Sequence, residues 1–249
     1  MMALGVTPVE LALIALVVFA AFVVRGMSGF GSSLVAMPLL VLILPIHTAV
    51  PMMGIIVFIL FCFLFVRDRH EVIWRELWLL LGPTLLGVVV GIFLFKTLDN
   101  ALLLKYLGMI TIGYAVYALG VHYFGLPEVK CSSYWALPAG FGGSFIDTLF
   151  GGGGGTIIVI YMHLRRIGRV QFRATTAVLW LFEMTARVLG YTAAGYYTTS
   201  TLLLAALMLP VVWAGTWCGE HIDSRISQET FSKILAVLLI VSGGSLLLR

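Results

Sequence analysis

"DTLFGGGGGTIIVI", residues 147–160, places an acid and five consecutive glycines inside an apolar segment. The whole chain has 249 residues, of which 61% are hydrophobic and 10% are charged. Soluble domains carry about 25% charged residues, so the composition indicates an all-α polytopic membrane protein. Backbone groups in lipid must be hydrogen-bonded, and glycine is a poor helix former. The glycine run therefore predicts a helix break that is buried in protein or lines a wet cavity.

The apolar segments predict membrane-spanning helices, each of which needs about 20 residues. The candidate spans are 48–66, 77–95, 101–121, 172–194, 201–218 and 230–248. The three cysteines have neither metal-binding nor redox spacing, so we expect no metal and no organic cofactor. The net charge of +4 comes from arginines in loops, so nucleic acid is not expected as a partner.

An internal repeat divides the chain into two similar halves. Three residues of the first half recur 128 positions later: Gly87, Gly91 and Lys105 return as Gly215, Gly219 and Lys233. Residues 29–42 similarly resemble residues 152–165. The sequence therefore predicts two repeats, 1–125 and 131–249, in one integral membrane domain. Each repeat would contain a glycine-broken helical hairpin followed by three transmembrane helices.

The second arm of each hairpin is too short to cross a membrane alone. Residues 34–45 and 156–164 would reach about 18 and 14 Å as helices, against a hydrocarbon core of about 30 Å. Each hairpin either dips in and returns, or crosses twice. In both cases a repeat makes an odd number of net crossings, so the second repeat is predicted to be inverted relative to the first.

The distribution of basic residues predicts the orientation of the chain. Nine lysines and arginines fall in loops 67–76, 122–133, 165–173 and 219–229, whereas the opposite face has Lys96 and Arg249. Because cytoplasmic loops are enriched in basic residues, we expect these four loops in the cytoplasm and both termini outside. The segment "RRIGRVQFR", residues 165–173, is interpreted as part of this signal. The expected location is a bacterial inner membrane.

Inverted repeats with broken helices are typical of secondary transporters, whose site lies where the two breaks meet. A helix begins after each break, near Ser32 and near Gly155, and its first amides lack intrahelical partners and carry partial positive charge. Two such N-termini facing one cavity would bind an anion. The candidate substrate-binding residues at the breaks are Ser28, Gly29, Gly31, Ser32, Ser33, Gly152, Gly153, Gly154, Gly155 and Thr156. The repeated glycines at 87, 91, 215 and 219 are instead interpreted as close-packing residues.

Four charged residues in apolar segments complete the candidate site, because a charge inside a membrane needs a partner or a use. Arg25 would hold an oxyanion bidentately or pair with Asp147. Asp147 would cap the glycine turn through backbone amides or take a proton. Glu183 and Arg187 share a helix face at i, i+4 spacing. They either form a structural ion pair, or Arg187 binds the substrate. In the second case Glu183 either modifies the charge that Arg187 presents or carries a proton.

At these glycine-rich segments the sequence resembles the sulfite exporter TauE/SafE family of membrane proteins. The family's mark is a glycine-rich motif, once per half, followed by an apolar stretch and a proline. The first copy is "GFGSSLVAMP", residues 29–38, and the second is "GGGGGTIIVIY", residues 151–161, where Tyr161 occupies the position of the proline. The similarity covers the whole chain, including "RATTAVLW" at 173–180. It implies a transporter that moves sulfite, organosulfonates or related small sulfur anions, generally outward.

An enzymatic alternative comes from "GMSG", residues 26–29, which matches the G-x-S-G of intramembrane serine proteases. That chemistry needs a histidine base beside the serine, and no histidine falls in the middle of a predicted span, so we expect no enzyme. The sequence predicts a secondary transporter that exports a small sulfur-containing anion by alternating access. An anion channel and an importer of a related sulfur oxyanion remain alternatives, and the oligomeric state is undetermined.

Overall fold

The structure, a computed structural model, describes residues 6–28, 31–68, 71–124, 131–221 and 239–247. Within these ranges the regular structure is helical, without strands, which confirms the all-α prediction. The α-helices are α1 (Pro8–Ser28), α2 (Ser32–Leu40), α3 (Ile46–Asp68), α4 (Trp74–Thr97), α5 (Asn100–Phe124), α6 (Ala136–Phe150), α7 (Gly155–Leu164), α8 (Arg169–Ala193) and α9 (Thr199–His221). A short 3₁₀ turn, Ser133–Trp135, precedes α6, and residues 239–247 are also helical.

The predicted spans agree with the helices where both are described. Helices α3, α4, α5, α8 and α9 begin and end within three residues of the segments proposed from hydrophobicity. The sixth proposed span, 230–248, lies outside the described residues except for 239–247. Among the described residues, four helices are long and apolar enough to cross a membrane, namely α1, α3, α4 and α9.

Helix α1, the first arm of the first hairpin, is long enough to span a membrane, although it was not among the six candidate spans. Its 21 residues would reach about 32 Å, enough to cross a bilayer core of about 30 Å. Helix α2 has nine residues and would reach only about 14 Å. The first hairpin therefore combines one arm of spanning length with one short arm, because a single apolar run continues up to Arg25 before the break.

The helices form two compact units, and each unit takes segments from both halves of the sequence. The first unit contains 1–49, 98–127 and 198–249, and the second unit contains 50–97 and 128–197. The division of the chain into repeats 1–125 and 131–249 concerns the correspondence of residues along the sequence. That division, and the inverted orientation of the two repeats, stay predictions.

The second unit is held together by close packing of α4 against α6. A Cβ added at Gly91 would lie 2.7 Å from the Cβ of Thr148, and Gly87 faces the Phe141 carbonyl. The Ser144 hydroxyl of α6 donates a hydrogen bond of 2.8 Å to the Thr84 carbonyl of α4. The backbones of the two helices are in close contact, as the packing interpretation of these glycines predicts.

In the first unit, α1 packs against α9 in the same manner. A Cβ added at Gly215 would lie 2.7 Å from the Phe19 carbonyl oxygen, and Gly219 faces the Val23 carbonyl. Gly26 of α1 is equally confined, because its Cβ would lie 2.5 Å from the Thr216 carbonyl oxygen. In each unit, therefore, the long arm of one hairpin packs on a helix that presents the repeated glycine pair.

The hydrophobic core of the second unit fixes the position of the short helix α7. Buried Leu77 of α4, Ala139 of α6, Ile158 of α7 and Leu179 of α8 belong to one apolar cluster. Burial of apolar side chains contributes about 25 cal/mol of stabilising free energy per Å² of surface removed from water. The glycine break before α7 is therefore attached to a packed scaffold.

Candidate functional site

The second break lies between the end of α6 at Phe150 and the start of α7 at Gly155. Gly151 and Gly153 have φ angles of 75° and 99°, in the left-handed region that glycine adopts without steric cost. Gly154 passes so close to the Gly143 carbonyl of α6 that a Cβ would overlap it. The prediction that a helix begins at Gly155 is confirmed. The left-handed turns and the close contact with α6 explain why glycine occupies these positions.

The first break also contains a left-handed glycine on its described side. Helix α2 begins at Ser32, as predicted, and Gly31 before it has a φ of 89°. Ser32 is buried and Ser33 is half-buried. Gly29 and the side chain of Ser28 lie outside the described residues, so their predicted part in binding stays a prediction.

Arg25 connects the two helices that flank the first break. Its side chain is 7% exposed, and Nη1 donates a 3.4 Å hydrogen bond to Oγ of Ser32. Two of the predicted binding residues are therefore in contact within the first unit. Asp147, its proposed alternative partner, belongs to the second unit, and that pairing stays a prediction, as does a common cavity for the two breaks.

Asp147 makes the backbone contact that the capping alternative requires. Its Oδ1 accepts a 2.8 Å hydrogen bond from the Gly154 amide, and the residue is 7% exposed. A carboxylate at a helix N-terminus is stabilised by the partial positive charge there. The start of α7 therefore already has an anionic partner from its own chain, and a substrate that used the same amide would have to displace it.

Glu183 and Arg187 form the buried pair expected from their spacing, but the pair is loose. Arg187 Nη1 lies 3.9 Å from Glu183 Oε1, an ion-pair distance that exceeds a hydrogen bond. Glu183 is 0% exposed and Arg187 is 1% exposed. Among the described residues, neither Glu183 oxygen nor Arg187 Nε has a hydrogen-bond partner. Part of the guanidinium is thus available to another acceptor.

Tyr191 joins this pair to the second break, and the sequence analysis did not identify it. The Arg187 Cζ lies 5.9 Å from the Tyr191 ring centroid, and the Tyr191 hydroxyl donates a 2.5 Å hydrogen bond to the Thr148 carbonyl. The charges of Asp147 and Glu183 both act on Arg187. Residues 183, 187 and 191 lie on one helix face because they follow one another at i, i+4 spacing. This spacing is the feature of the sequence that could have identified Tyr191. We call Asp147, Glu183, Arg187 and Tyr191 the acid–arginine cluster.

Gly155, at the start of α7, lies against this cluster, and the neighbouring predicted residues are buried or half-buried. A Cβ added at Gly155 would lie 3.4 Å from the Trp180 ring and 3.5 Å from Asp147 Oδ2. Gly152 is buried, and Gly153 and Thr156 are half-buried. The second unit therefore brings together the predicted glycines, Asp147, Glu183 and Arg187 in one place.

A further polar group, also missed from the sequence, holds the opposite end of α7. The Tyr161 hydroxyl donates to Glu76 Oε2 at 2.7 Å, and Arg165 Nη2 donates to Glu76 Oε1 at 2.6 Å. The hydrogen bond to Glu76 raises the pKa of the Arg165 guanidinium. Tyr161 occupies the proline position of the glycine-rich motif, so it contributes a buried hydrogen bond where proline could not. Arg165 has a structural partner in addition to its predicted topological role.

Apolar helices, glycine-broken hairpins and buried charges together define an integral membrane protein of the transporter class. The family model described as "Sulfite exporter TauE/SafE" matches residues 13–246. The chain belongs to this family, as the resemblance predicted, and the family is one of membrane transporters for sulfite and related sulfur anions. No curated protein and no solved structure matches the chain.

Proposed function

We propose that the protein exports a small sulfur oxyanion or organosulfonate across the bacterial inner membrane by alternating access. The basic loops would face the cytoplasm, as their charge predicts. The substrate would bind at the glycine breaks, with Arg187 as the main countercharge of the second break. Family membership supports the substrate class, and the geometry of the acid–arginine cluster supports the position of the site.

The observation that carries this proposal is the buried, partly unpartnered guanidinium of Arg187, on which the charge of Asp147 at the start of α7 acts. Nε has no hydrogen-bond partner in the described part of the chain, and Nη1 lies 3.6 Å from Met184 Sδ and 3.9 Å from Glu183 Oε1. The guanidinium can bind two oxygens of one planar or tetrahedral oxyanion with parallel hydrogen bonds. The turn amides of Gly152 and Gly153 and the hydroxyl of Thr156 would supply further donors.

The first break would contribute Arg25 with the donors around it. Arg25 and Ser32 are already in contact at 3.4 Å, so this guanidinium is held beside the N-terminus of α2. The candidate donors of this break are Ser28, Gly29, Gly31, Ser32 and Ser33. Each break would then supply one arginine and one helix N-terminus, as expected for a carrier whose substrate site lies between two related repeats.

Substrate class and transport are tested with the purified full-length chain. We expect sulfite, thiosulfate, taurine or sulfoacetate to raise its thermal stability, because a ligand that binds the folded state stabilises it, and a carboxylate control to have no effect. Labelled sulfite in proteoliposomes should show saturation and counterflow. Stabilisation by carboxylates alone would contradict the substrate class, and flux without counterflow would favour the alternative of an anion channel.

The role of Arg187 is tested by Arg187→Gln, with Arg173→Gln as the matched control. Arg173 lies on the same helix and is exposed. Loss of a hydrogen bond to a charged group costs about 1.5–3 kcal/mol, so we expect Arg187→Gln to weaken anion binding about 10- to 100-fold. Arg187→Lys keeps the charge beside Glu183 and should still lose the bidentate contact. Equal affinity in all three variants would contradict the assignment.

A further inference from the structure

The surroundings of the Glu183 carboxyl group suit an acid that changes between its charged and neutral forms during transport. The charged and titratable groups that face it are Asp147 on α6 and Arg187 and Tyr191 on its own helix. No charged side chain from the described parts of α3, α4 or α7 acts on it. The cluster thus contains two carboxyl groups and one guanidinium, shielded from solvent.

The two carboxyl groups are not equivalent. Asp147 accepts the Gly154 amide at 2.8 Å, so its negative charge is stabilised at the start of α7. Glu183 accepts no hydrogen bond from any described group, and its only countercharge is Arg187 at 3.9 Å. Of the two acids, Glu183 is therefore the one that depends entirely on Arg187.

An oxyanion that binds Arg187 takes that countercharge away. A buried carboxylate whose partner is removed is strongly unfavourable, and such a group neutralises itself by binding a proton. If the anion replaces Glu183 at the guanidinium and Glu183 binds one proton, the total charge of the cluster does not change. If Glu183 stays ionised, the cluster gains a second uncompensated negative charge.

Resting on the transport function proposed above, we propose that Glu183 is a proton-binding site and that each monovalent anion crosses the membrane together with one proton. Asp147 keeps its place on the Gly154 amide and is a positioning residue for the turn. A monovalent anion carried alone responds to the membrane potential. An anion carried with a proton is electroneutral, so its flux follows the anion gradient and the pH difference. When the cytoplasm is not more acidic than the outside, export then requires an outward anion gradient.

The test uses the full chain in proteoliposomes and labelled ethanesulfonate, the anion of a strong acid, which binds no proton of its own near neutral pH. At zero potential, a pH difference of one unit across the membrane should drive the wild-type chain to concentrate ethanesulfonate about tenfold on the alkaline side. The reason is that one pH unit is a tenfold ratio of proton concentration. A potential imposed without a pH step should cause no accumulation.

Glu183→Gln keeps the shape of the side chain and cannot exchange a proton. We expect this variant to retain counterflow, to lose the tenfold response to pH, and to accumulate ethanesulfonate in response to potential. Asp99→Asn is the matched control, because Asp99 is exposed between α4 and α5 and asparagine also serves as a helix N-cap. This control should behave as the wild-type chain does.

Each outcome separates the two proposals. Counterflow with a response to potential and none to pH in the wild-type chain would overturn proton coupling and leave anion transport in place. A pH response that survives Glu183→Gln would overturn the assignment to Glu183. Absence of counterflow for every sulfur anion tested would overturn both proposals.

Proton uptake by the purified protein provides a measurement that does not depend on the variant's transport. Ethanesulfonate added to the wild-type chain in weakly buffered detergent should cause uptake of about one proton per bound anion, read with a pH indicator. Glu183→Gln should bind the anion without this uptake. Binding to the wild-type chain with no proton uptake would overturn the coupling even if the variant fails to fold.

Discussion

Replacing Gly154 by alanine adds one methyl group where the second break passes closest to α6. The backbone of Gly154, with φ −71° and ψ −30°, suits alanine, so the expected effect comes from contact and not from backbone strain. The added Cβ would overlap the Gly143 carbonyl and lie 3.0 Å from the Asp147 amide nitrogen. These neighbours are backbone atoms of a packed helix, and they cannot rotate away.

The expected loss of stability follows from three contributions. Overpacking in a core costs about 1–3 kcal/mol. A shift of the turn also weakens the hydrogen bond between Asp147 and the Gly154 amide, and a bond to a charged group contributes about 1.5–3 kcal/mol. The smaller conformational freedom of alanine in the unfolded chain offsets about 1 kcal/mol. We therefore expect Gly154→Ala to lower the free energy of unfolding by about 1.5–5 kcal/mol.

The assay is equilibrium unfolding of the purified chain in mixed micelles, with Gly142→Ala as the control. Gly142 lies in α6 of the same unit, and a Cβ there has no described atom within 4 Å apart from its own helix backbone. This control should be neutral or up to about 1 kcal/mol more stable, and counterflow should survive in it. If Gly154→Ala were as stable as Gly142→Ala, the close approach of the break to α6 would be refuted.

Two further predictions concern groups at the ends of helices. Glu76→Gln should lower the free energy of unfolding by about 1.5–3 kcal/mol, because it removes the charge that holds Arg165 and Tyr161. The control, Glu71→Gln at an exposed position, should change it little. Equal stability of the two variants would contradict the hydrogen bonds of Glu76 with Tyr161 and Arg165. Burial raises the pKa of Tyr197 above its ordinary value of 10.0, so its contribution to stability is complete below pH 10 and is lost as the pH rises further. Tyr197→Phe should flatten this alkaline loss in unfolding measurements, and an unchanged slope would rule out Tyr197 as its source.

The pattern of residues along the chain was enough to predict the class of protein, five of the long helices (α3, α4, α5, α8 and α9) and the helix starts after the two breaks. Apolar segments of about 20 residues exclude most other structures in lipid, because every backbone group must find a hydrogen bond within its own helix. The helix starts at Ser32 and Gly155 follow from glycines that permit left-handed turns. These are local properties of a few consecutive residues, and the glycine-rich motif likewise identified the family without any knowledge of contacts.

The partners of Glu76 and Asp147, in contrast, depend on how the helices pack. Glu76 meets Tyr161 and Arg165 across 85 and 89 residues of chain, and neither contact follows from spacing along one helix. The sequence left open whether Asp147 caps the turn, and the fold of α6 against α7 places its carboxylate on the Gly154 amide. The physical reason is that a buried charge is stabilised by whichever group packing brings within about 3 Å, and packing depends on the whole chain.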